Sequence, residues 1–238
     1  MFELLDWDTN FFKKRIGNVK EQTIFDDISF ENFVLNNNID FLQAKCDIND
    51  LKFINHLEKN SFQLADLKVN YRGSISSVLP INDFITLATE EDTLSILEMA
   101  HGIFKDSRYY AYRHFFSLEK IEELYRTWIS KSVIGLMDDY CLIYKFEDHI
   151  IGFITIKQLL ENNSARIGLI GVHPDFRGQK IATALIQQAK THLKQKNVAI
   201  LEVSTQGKNI SAQNLYIKND FYMESIQTWY YWMKKDNV

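Results

Sequence analysis

The sequence predicts a mixed α/β protein with a central, mostly antiparallel sheet and flanking helices. Three observations carry this. Between residues 140 and 172, three β-rich runs follow one another with only short polar breaks, the pattern of an antiparallel meander. Directly after it, residues 167–186 read as strand, tight turn and helix. Upstream, between 39 and 71, strand-like and helix-like periods alternate.

Each element has its own signal. Ser29 to Leu35 suits a short helix and Ile39 to Ala44 a strand. Asn49 to Lys59 places Leu51, Ile54 and Leu57 at helical spacing, with Phe53 beside them, and Leu64 to Tyr71 alternates as a strand. Gly73-Ser-Ile-Ser-Ser-Val-Leu-Pro80 concentrates small residues and one of only two prolines. It marks the expected junction between a small α/β domain (1–80) and a larger one (81–238). Ile85 to Ala88 is a strand. Thr89 and Asp92 form a capping box for a helix reaching Ile103, with Leu94, Ile96 and Leu97 as its apolar face. Lys105 to Phe116 is irregular and aromatic. Ser117 caps a second helix whose stripe is Leu118, Ile121, Leu124, Tyr125 and Trp128.

The meander comprises Tyr140 to Phe146, Ile150 to Leu159 and Arg166 to Val172, with turns at 147–149 and 161–164. Gly178 to Lys194 is a helix with Ile181, Leu185, Ala189 and Leu193 on one face. Val198 to Ser204 (strand), Ser211 to Lys218 (helix) and Phe221 to Met233 (strand) complete the chain. Leu57-Glu-Lys-Asn-Ser-Phe62 echoes Tyr216-Ile-Lys-Asn-Asp-Phe221, each between a helix and a strand. Such an echo arises by chance or by partial duplication. In the second case the N-terminal third is a packing and substrate-shaping copy, not a second active site.

Composition excludes several classes. Nine glycines and two prolines among 238 residues are too few for a collagen-like, linker-rich or disordered chain. A net charge of −4 without a basic block gives no nucleic-acid footprint. Cys46 and Cys141 lie far apart and suggest neither a disulfide framework nor a metal site. No apolar run is long enough to span a membrane, and the acidic N-terminus lacks the form of a signal peptide. The expected setting is cytoplasmic.

Three of the nine glycines and one proline fall between 168 and 178, so unusual backbone is expected there. A helix N-terminus exposes unpaired N–H groups and a positive dipole end. Small residues at Gly178 and Ala182 let a phosphate approach, and Arg177 adds a charged donor. This is a pyrophosphate cradle rather than a Walker loop or a GxGxxG turn. The alternative is an ordinary strand–helix connection.

Val172-His-Pro-x-x-Arg-Gly-x-x-Ile-Ala-x-x-Leu-Ile186 resembles the acetyl-CoA motif of the GNAT N-acetyltransferases, Arg/Gln-x-x-Gly-x-Gly/Ala. The resemblance covers about residues 84–233 and implies the acyl-CoA N-acyltransferase fold, acetyl-CoA as cosubstrate and no metal. It assigns the cofactor to Ile170, Gly171, Val172, Arg177, Gly178, Gln179, Lys180, Ile181, Ala182, Thr183 and Asn209. Lys180 and Asp220 stand where the family usually has Gly; Lys180 is tolerable there if its φ is helical. Three further blocks, Leu5 to Phe12, Phe104 to Tyr109 with Tyr125 to Ile129, and Ser204 to Trp232, resemble the bacterial dTDP-fucosamine acetyltransferases. They imply a dTDP-4-amino-4,6-dideoxyhexose as acceptor, used in cell-surface polysaccharide synthesis. The oligomeric state is left open, a homodimer included.

The chemistry asks for a polarised thioester, a neutral amine and a proton for the leaving thiolate. Backbone near Ile170 would polarise the carbonyl if Gly168 to Gly171 form a bulge; otherwise the glycines only bend the strand. Tyr216 is the expected acid, since a phenol of pKa about 10 suits a thiolate. Asn209 either holds the pantetheine or caps a helix. Glu202, flanked by apolar Leu201 and Val203, is either the base or a solvated carboxylate. His173 shapes the turn. Asp106, Arg108 and Tyr109 lie where the family builds its acceptor pocket, with Arg108 for the diphosphate; Trp229 walls that pocket or belongs to the core. The rival readings are acetylation of another amine, such as a peptide N-terminus or a small molecule, and a non-catalytic acyl-CoA-binding module.

Overall fold

The structure, a computed structural model, describes residues 1–76, 80–159 and 162–234. The expected junction at 73–80 and the turn at 161–164 therefore lie partly outside the described residues.

The N-terminal half runs β1 (Phe2–Leu4), α1 (Asp6–Phe12), β2 (Ile16–Val19), α2 (Asp27–Asn36), β3 (Phe41–Asp47), α3 (Leu51–Lys59) and β4 (Gln63–Ser74). The first three have no counterpart in the sequence reading, because segments of three to seven residues are too short to show a period. The rest is β5 (Ile85–Leu87), α4 (Thr93–Met99), α5 (Arg108–Ala111), α6 (Arg113–Phe116), α7 (Leu118–Val133), β6 (Tyr140–Phe146), β7 (His149–Leu159), β8 (Ser164–Val172), α8 (Ile181–Gln195), β9 (Ile200–Gln206), α9 (Ile210–Lys218) and β10 (Phe221–Met233).

Local chemistry explains the boundaries. The capping box at Thr89 and Asp92 is present, with the Thr89 N–H donating to Asp92 Oδ2 at 2.8 Å. The helix after it ends at Met99, short of Ile103, and Gly102 turns the chain at a φ of 69°. The aromatic stretch 105–116 holds two one-turn helices instead of irregular chain. Helix α8 starts at Ile181 rather than Gly178, since Gly178 and Lys180 both take left-handed φ, 78° and 63°. The expectation of a helical φ at Lys180 is thus corrected, and the position explains why glycine suits it.

Among the described residues, the ten strands form one sheet in the order β1-β2-β3-β10-β4-β9-β8-β7-β6-β5. Its neighbours are antiparallel except β2/β3 and β8/β9. Strand β4, from the N-terminal half, lies between β9 and β10, while β10 lies between β3 and β4. Each half therefore lodges its last strand beside strands of the other.

The echo at 57–62 and 216–221 has matching geometry. Helices α3 and α9 are capped by Asp50 and Asn209 with nearly equal backbone angles (φ −80°, ψ 68° and φ −83°, ψ 69°). Asn60 and Asn219 each donate to a carbonyl four residues back at 2.8 Å. Ser61 and Asp220 then both take a φ of 63° before the strand. Helices α8 and α9 pack Ile181, Leu185 and Tyr216 onto one core around Val69, Leu201 and Val203; α4 and α7 close another around Phe153 and Leu169. In the N-terminal half, Phe53 and Leu57 of α3 pack on β3; a cluster shared by both halves joins Phe12 and Phe41 with Phe115, Phe116 and Tyr231.

Candidate active site

The site grows from a parting of two strands. Strands β8 and β9 pair only from Ser164↔Ile200 to Arg166↔Glu202. Beyond Arg166 they diverge, and a cavity of about 620 Å³ reaches between them, lined by Ile167 to Ile170 on one side and Glu202 to Gln206 on the other. Unpaired backbone along the inner edge of β8 is available to a ligand there.

Strand β8 carries a bulge at this point. Ile154 faces Ile170 and Ile156 faces Ile167, so Gly168 and Leu169 together oppose the single Thr155. A buried network holds it. The Leu169 N–H donates to Thr155 Oγ1 at 2.8 Å, and the Thr155 hydroxyl donates to Asp138 Oδ2 at 2.7 Å. Trp128 Nε1 and the Ser132 hydroxyl also donate to Oδ2, at 2.8 and 3.1 Å. Asp138 is fully buried and presses on Gly168: a Cβ there would sit 2.0 Å from Oδ2. Gly168 is required by this close approach.

The turn into α8 forms the second part. Pro174 to Phe176 make one 3-10 turn, with the Asp175 N–H donating to His173 Nδ1 at 3.3 Å, so His173 shapes the turn. Lys180 caps α8 with its backbone only and no side chain fills the first turn. A Cβ at Gly178 would meet nothing within 4 Å. The N–H groups of the first turn of α8, at Ile181, Ala182 and Thr183, thus find no acceptor in an N-cap side chain.

Tyr216, on α9, lines the cavity with its ring buried against Tyr71 and Phe221. Burial, reinforced by the Tyr71 hydroxyl, pushes its phenol well above the ordinary value. The proton stays on the oxygen at neutral pH. Asn209 caps α9, accepting from the Ala212 N–H at 3.1 Å, and also lines the cavity. Glu202 is half-buried in the wall, its neighbours Leu201 and Val203 buried on the opposite face. Asp106 lines the wall too.

Three expected acceptor residues lie elsewhere. Arg108 is held by Gln43 Oε1 at 3.0 Å, by the Tyr109 hydroxyl at 2.7 Å and by the Tyr231 hydroxyl. Its guanidinium carbon lies 4.3 Å from the Tyr109 ring centre and 4.2 Å from that of Trp229. None of Arg108, Tyr109 and Trp229 lines the cavity; short-range hydrogen bonding and ring stacking tie them into the aromatic core instead. Sequence reasoning missed Lys68, Asn70, Thr155, Asp138 and Arg166. The alternation of Lys68, Asn70 and Arg72 with Leu67, Val69 and Tyr71 was the available signal for the first two.

The profile described as the acetyltransferase (GNAT) family matches residues 101–221, just over half of the sequence. The chain belongs to the GNAT acetyltransferase family. Among curated relatives, it is 26% identical over 141 residues to the spore coat polysaccharide biosynthesis protein SpsD of Bacillus subtilis, covering 59% of this chain and 47% of that protein. It is 34% identical over 89 residues to streptothricin acetyltransferase A of Bacillus subtilis, covering 37% and 51%. The chain spans about half the length of the curated relatives it matches. A GCN5-related N-acetyltransferase from Sphaerobacter thermophilus superposes with a TM-score of 0.63 at 14% identity, covering 98% of this chain and 76% of that one, which shows a shared fold. The GNAT match contains the bulge, the parted strands, the α8 turn and Tyr216. Among the described residues no His, Cys, Asp and Glu cluster is placed to hold a metal, and no helix is long and apolar enough to cross a membrane.

Proposed function

We propose that this chain transfers acetyl from acetyl-CoA to the amine of a nucleotide-activated amino sugar, a dTDP-4-amino-4,6-dideoxyhexose. The observation that carries the transferase reading is the parting of β8 and β9 directly before an uncapped helix N-terminus. Acetyl-CoA, when bound, supplies the thioester. Arg177 and the N–H groups of Gly178 to Thr183 hold its pyrophosphate; Ile170, Gly171 and Val172 offer backbone to the pantetheine and the carbonyl, with Asn209 as a side-chain donor. The Asp138–Thr155 network keeps the bulge in place while these N–H groups act, so no reorganisation is needed as charge develops. Tyr216 holds the proton destined for the thiolate, and Glu202 accepts the one lost by the amine, directly or through water.

The sugar acceptor is supported by the blocks at 5–12, 104–129 and 204–232 and by the likeness to SpsD, a polysaccharide biosynthesis protein. The likeness to streptothricin acetyltransferase A favours a second reading, a small-molecule amine. Residues 1–80 act in either case as a partial copy that lends β4 to the acceptor side. A thiol-release assay with acetyl-CoA against dTDP- and UDP-amino sugars, streptothricin-like amines and N-terminal peptides decides. Turnover with the dTDP sugar is expected. Turnover confined to the other amines overturns the acceptor. Acetyl-CoA binding without thiol release from any of them overturns catalysis.

A further inference from the structure

Resting on the nucleotide-sugar reading, we infer that Lys68 and Arg166 clamp the diphosphate of the acceptor over a floor formed by Asn70 and Ser204. Val69 and Tyr71 of β4 are buried against the α8 and α9 side, so Lys68 and Asn70 face the other way, and both line the cavity. The Ser204 hydroxyl donates to Asn70 Oδ1 at 2.7 Å and Asn70 Nδ2 donates to Ser225 Oγ at 2.9 Å. These bonds tie β9, β4 and β10 into a rigid polar floor.

Lys68 is half-buried and makes no ion pair among the described residues; neither does Arg166. Burial and the nearby charges of Lys45 and Arg166 hold the Lys68 ammonium below its ordinary pKa. An anion between Lys68 and Arg166 removes that repulsion and forms charge-assisted hydrogen bonds. Of the carboxylates in the wall, Glu224 is already paired with Arg72 at 2.8 Å, which leaves Glu202 and Asp106 for the amine. The clamp is distinct from the coenzyme cradle. Arg166 and Val172 are separated by six residues of β8, roughly 20 Å at about 3.3 Å per residue. Arg108, the cation expected from sequence to hold the diphosphate, is engaged by Gln43, Tyr109 and Tyr231.

The test is calorimetric titration of dTDP into the full chain saturated with CoA, so that the cradle is filled. Wild-type protein is expected to bind, Lys68→Gln and Arg166→Gln to weaken binding by about tenfold or more each, and Lys68→Arg to retain it. Folded variants with wild-type affinity overturn the clamp while leaving the sugar reading to the thiol-release assay. Absence of dTDP binding by wild-type protein overturns both.

Discussion

The two halves of the molecule place the same unit, a parallel strand pair joined through a helix, in one sheet with opposite capacities. In the N-terminal half, β2 pairs with β3 over all four of its residues. The first turn of α2 is closed by Asp26, whose carboxylate accepts the Ser29 N–H at 2.7 Å and is held below its ordinary range by it. In the C-terminal half the strands part after three pairs and the first turn of α8 has no side-chain cap. A helix N-terminus is the same electrostatic object in both. What differs is whether the protein fills it. The N-terminal half closes its helix start with its own carboxylate; in the C-terminal half the N-cap side chain makes no such bond.

The largest expected effect concerns the residue without a polar counterpart in the other half. Tyr216 is matched by Leu57 in the echo. Tyr216→Phe should lower kcat by about 10²-fold or more, with KM for acetyl-CoA nearly unchanged. Because burial raises the phenol pKa, the protonated acid persists as pH rises. The kcat profile should therefore show no loss from this group at the ordinary phenol value of about 10. Steady-state kinetics across pH check both statements; a Tyr216-dependent limb at that value would contradict the second.

The next comparison is between two strand glycines. A Cβ at Gly168 meets the buried Asp138 carboxylate at 2.0 Å, whereas one at Gly17 of β2 meets the end of the Leu42 side chain at 2.7 Å. Gly168→Ala must push Asp138 off Trp128, Ser132 and Thr155, and should cost about 2–3 kcal/mol. Gly17→Ala should cost less, about 1–2 kcal/mol, since the Leu42 methyl, the Glu3 carbonyl at 3.1 Å and the Phe33 ring at 3.2 Å need only small shifts. Denaturant unfolding of the two variants ranks them; equal losses would show that the carboxylate yields as easily as the methyl.

Giving α8 the acid that α2 already has should separate stability from binding. Ala182→Asp places a carboxylate in the first turn of α8. The helix should gain about 0.3–1 kcal/mol from the dipole. KM for acetyl-CoA should rise about tenfold, a loss near 1.4 kcal/mol, because the new charge opposes phosphate. A raised Tm together with a raised KM is the expected pair of readings.

Much of the C-terminal half was legible because long strands and helices show their period. β10 runs from Phe221 to Met233 as its aromatic strand residues indicated, and the Thr89/Asp92 box sits where its spacing put it. The unusual backbone of the turn into α8 was legible because glycine is scarce and clusters there. The acceptor wall was less so. Arg108 looks free in sequence, but its partners Gln43 and Tyr231 lie 65 and 123 positions away. Lys68 reaches the cavity only because β4 crosses into the C-terminal half, a topology that local spacing does not encode.

The smallest effect tests the positions where left-handed backbone falls on residues with a Cβ. Lys180, Asp220 and Ser61 all take a φ of 63°. A Cβ in this region costs roughly 1–2 kcal/mol, less for Asp, whose short polar side chain tolerates it. Glycine removes that strain but adds freedom to the unfolded chain, which offsets part of the gain. Lys180→Gly should therefore stabilise by about 1 kcal/mol, and Asp220→Gly by less. If the two halves are equivalent at the Asn-x-Phe turn, Ser61→Gly and Asp220→Gly should shift Tm in the same direction. KM for acetyl-CoA should stay close to wild type in Lys180→Gly if the cradle uses only the backbone N–H there. A clear rise would instead assign the Lys180 ammonium to a phosphate, and would make this residue a ligand without a counterpart in the N-terminal half.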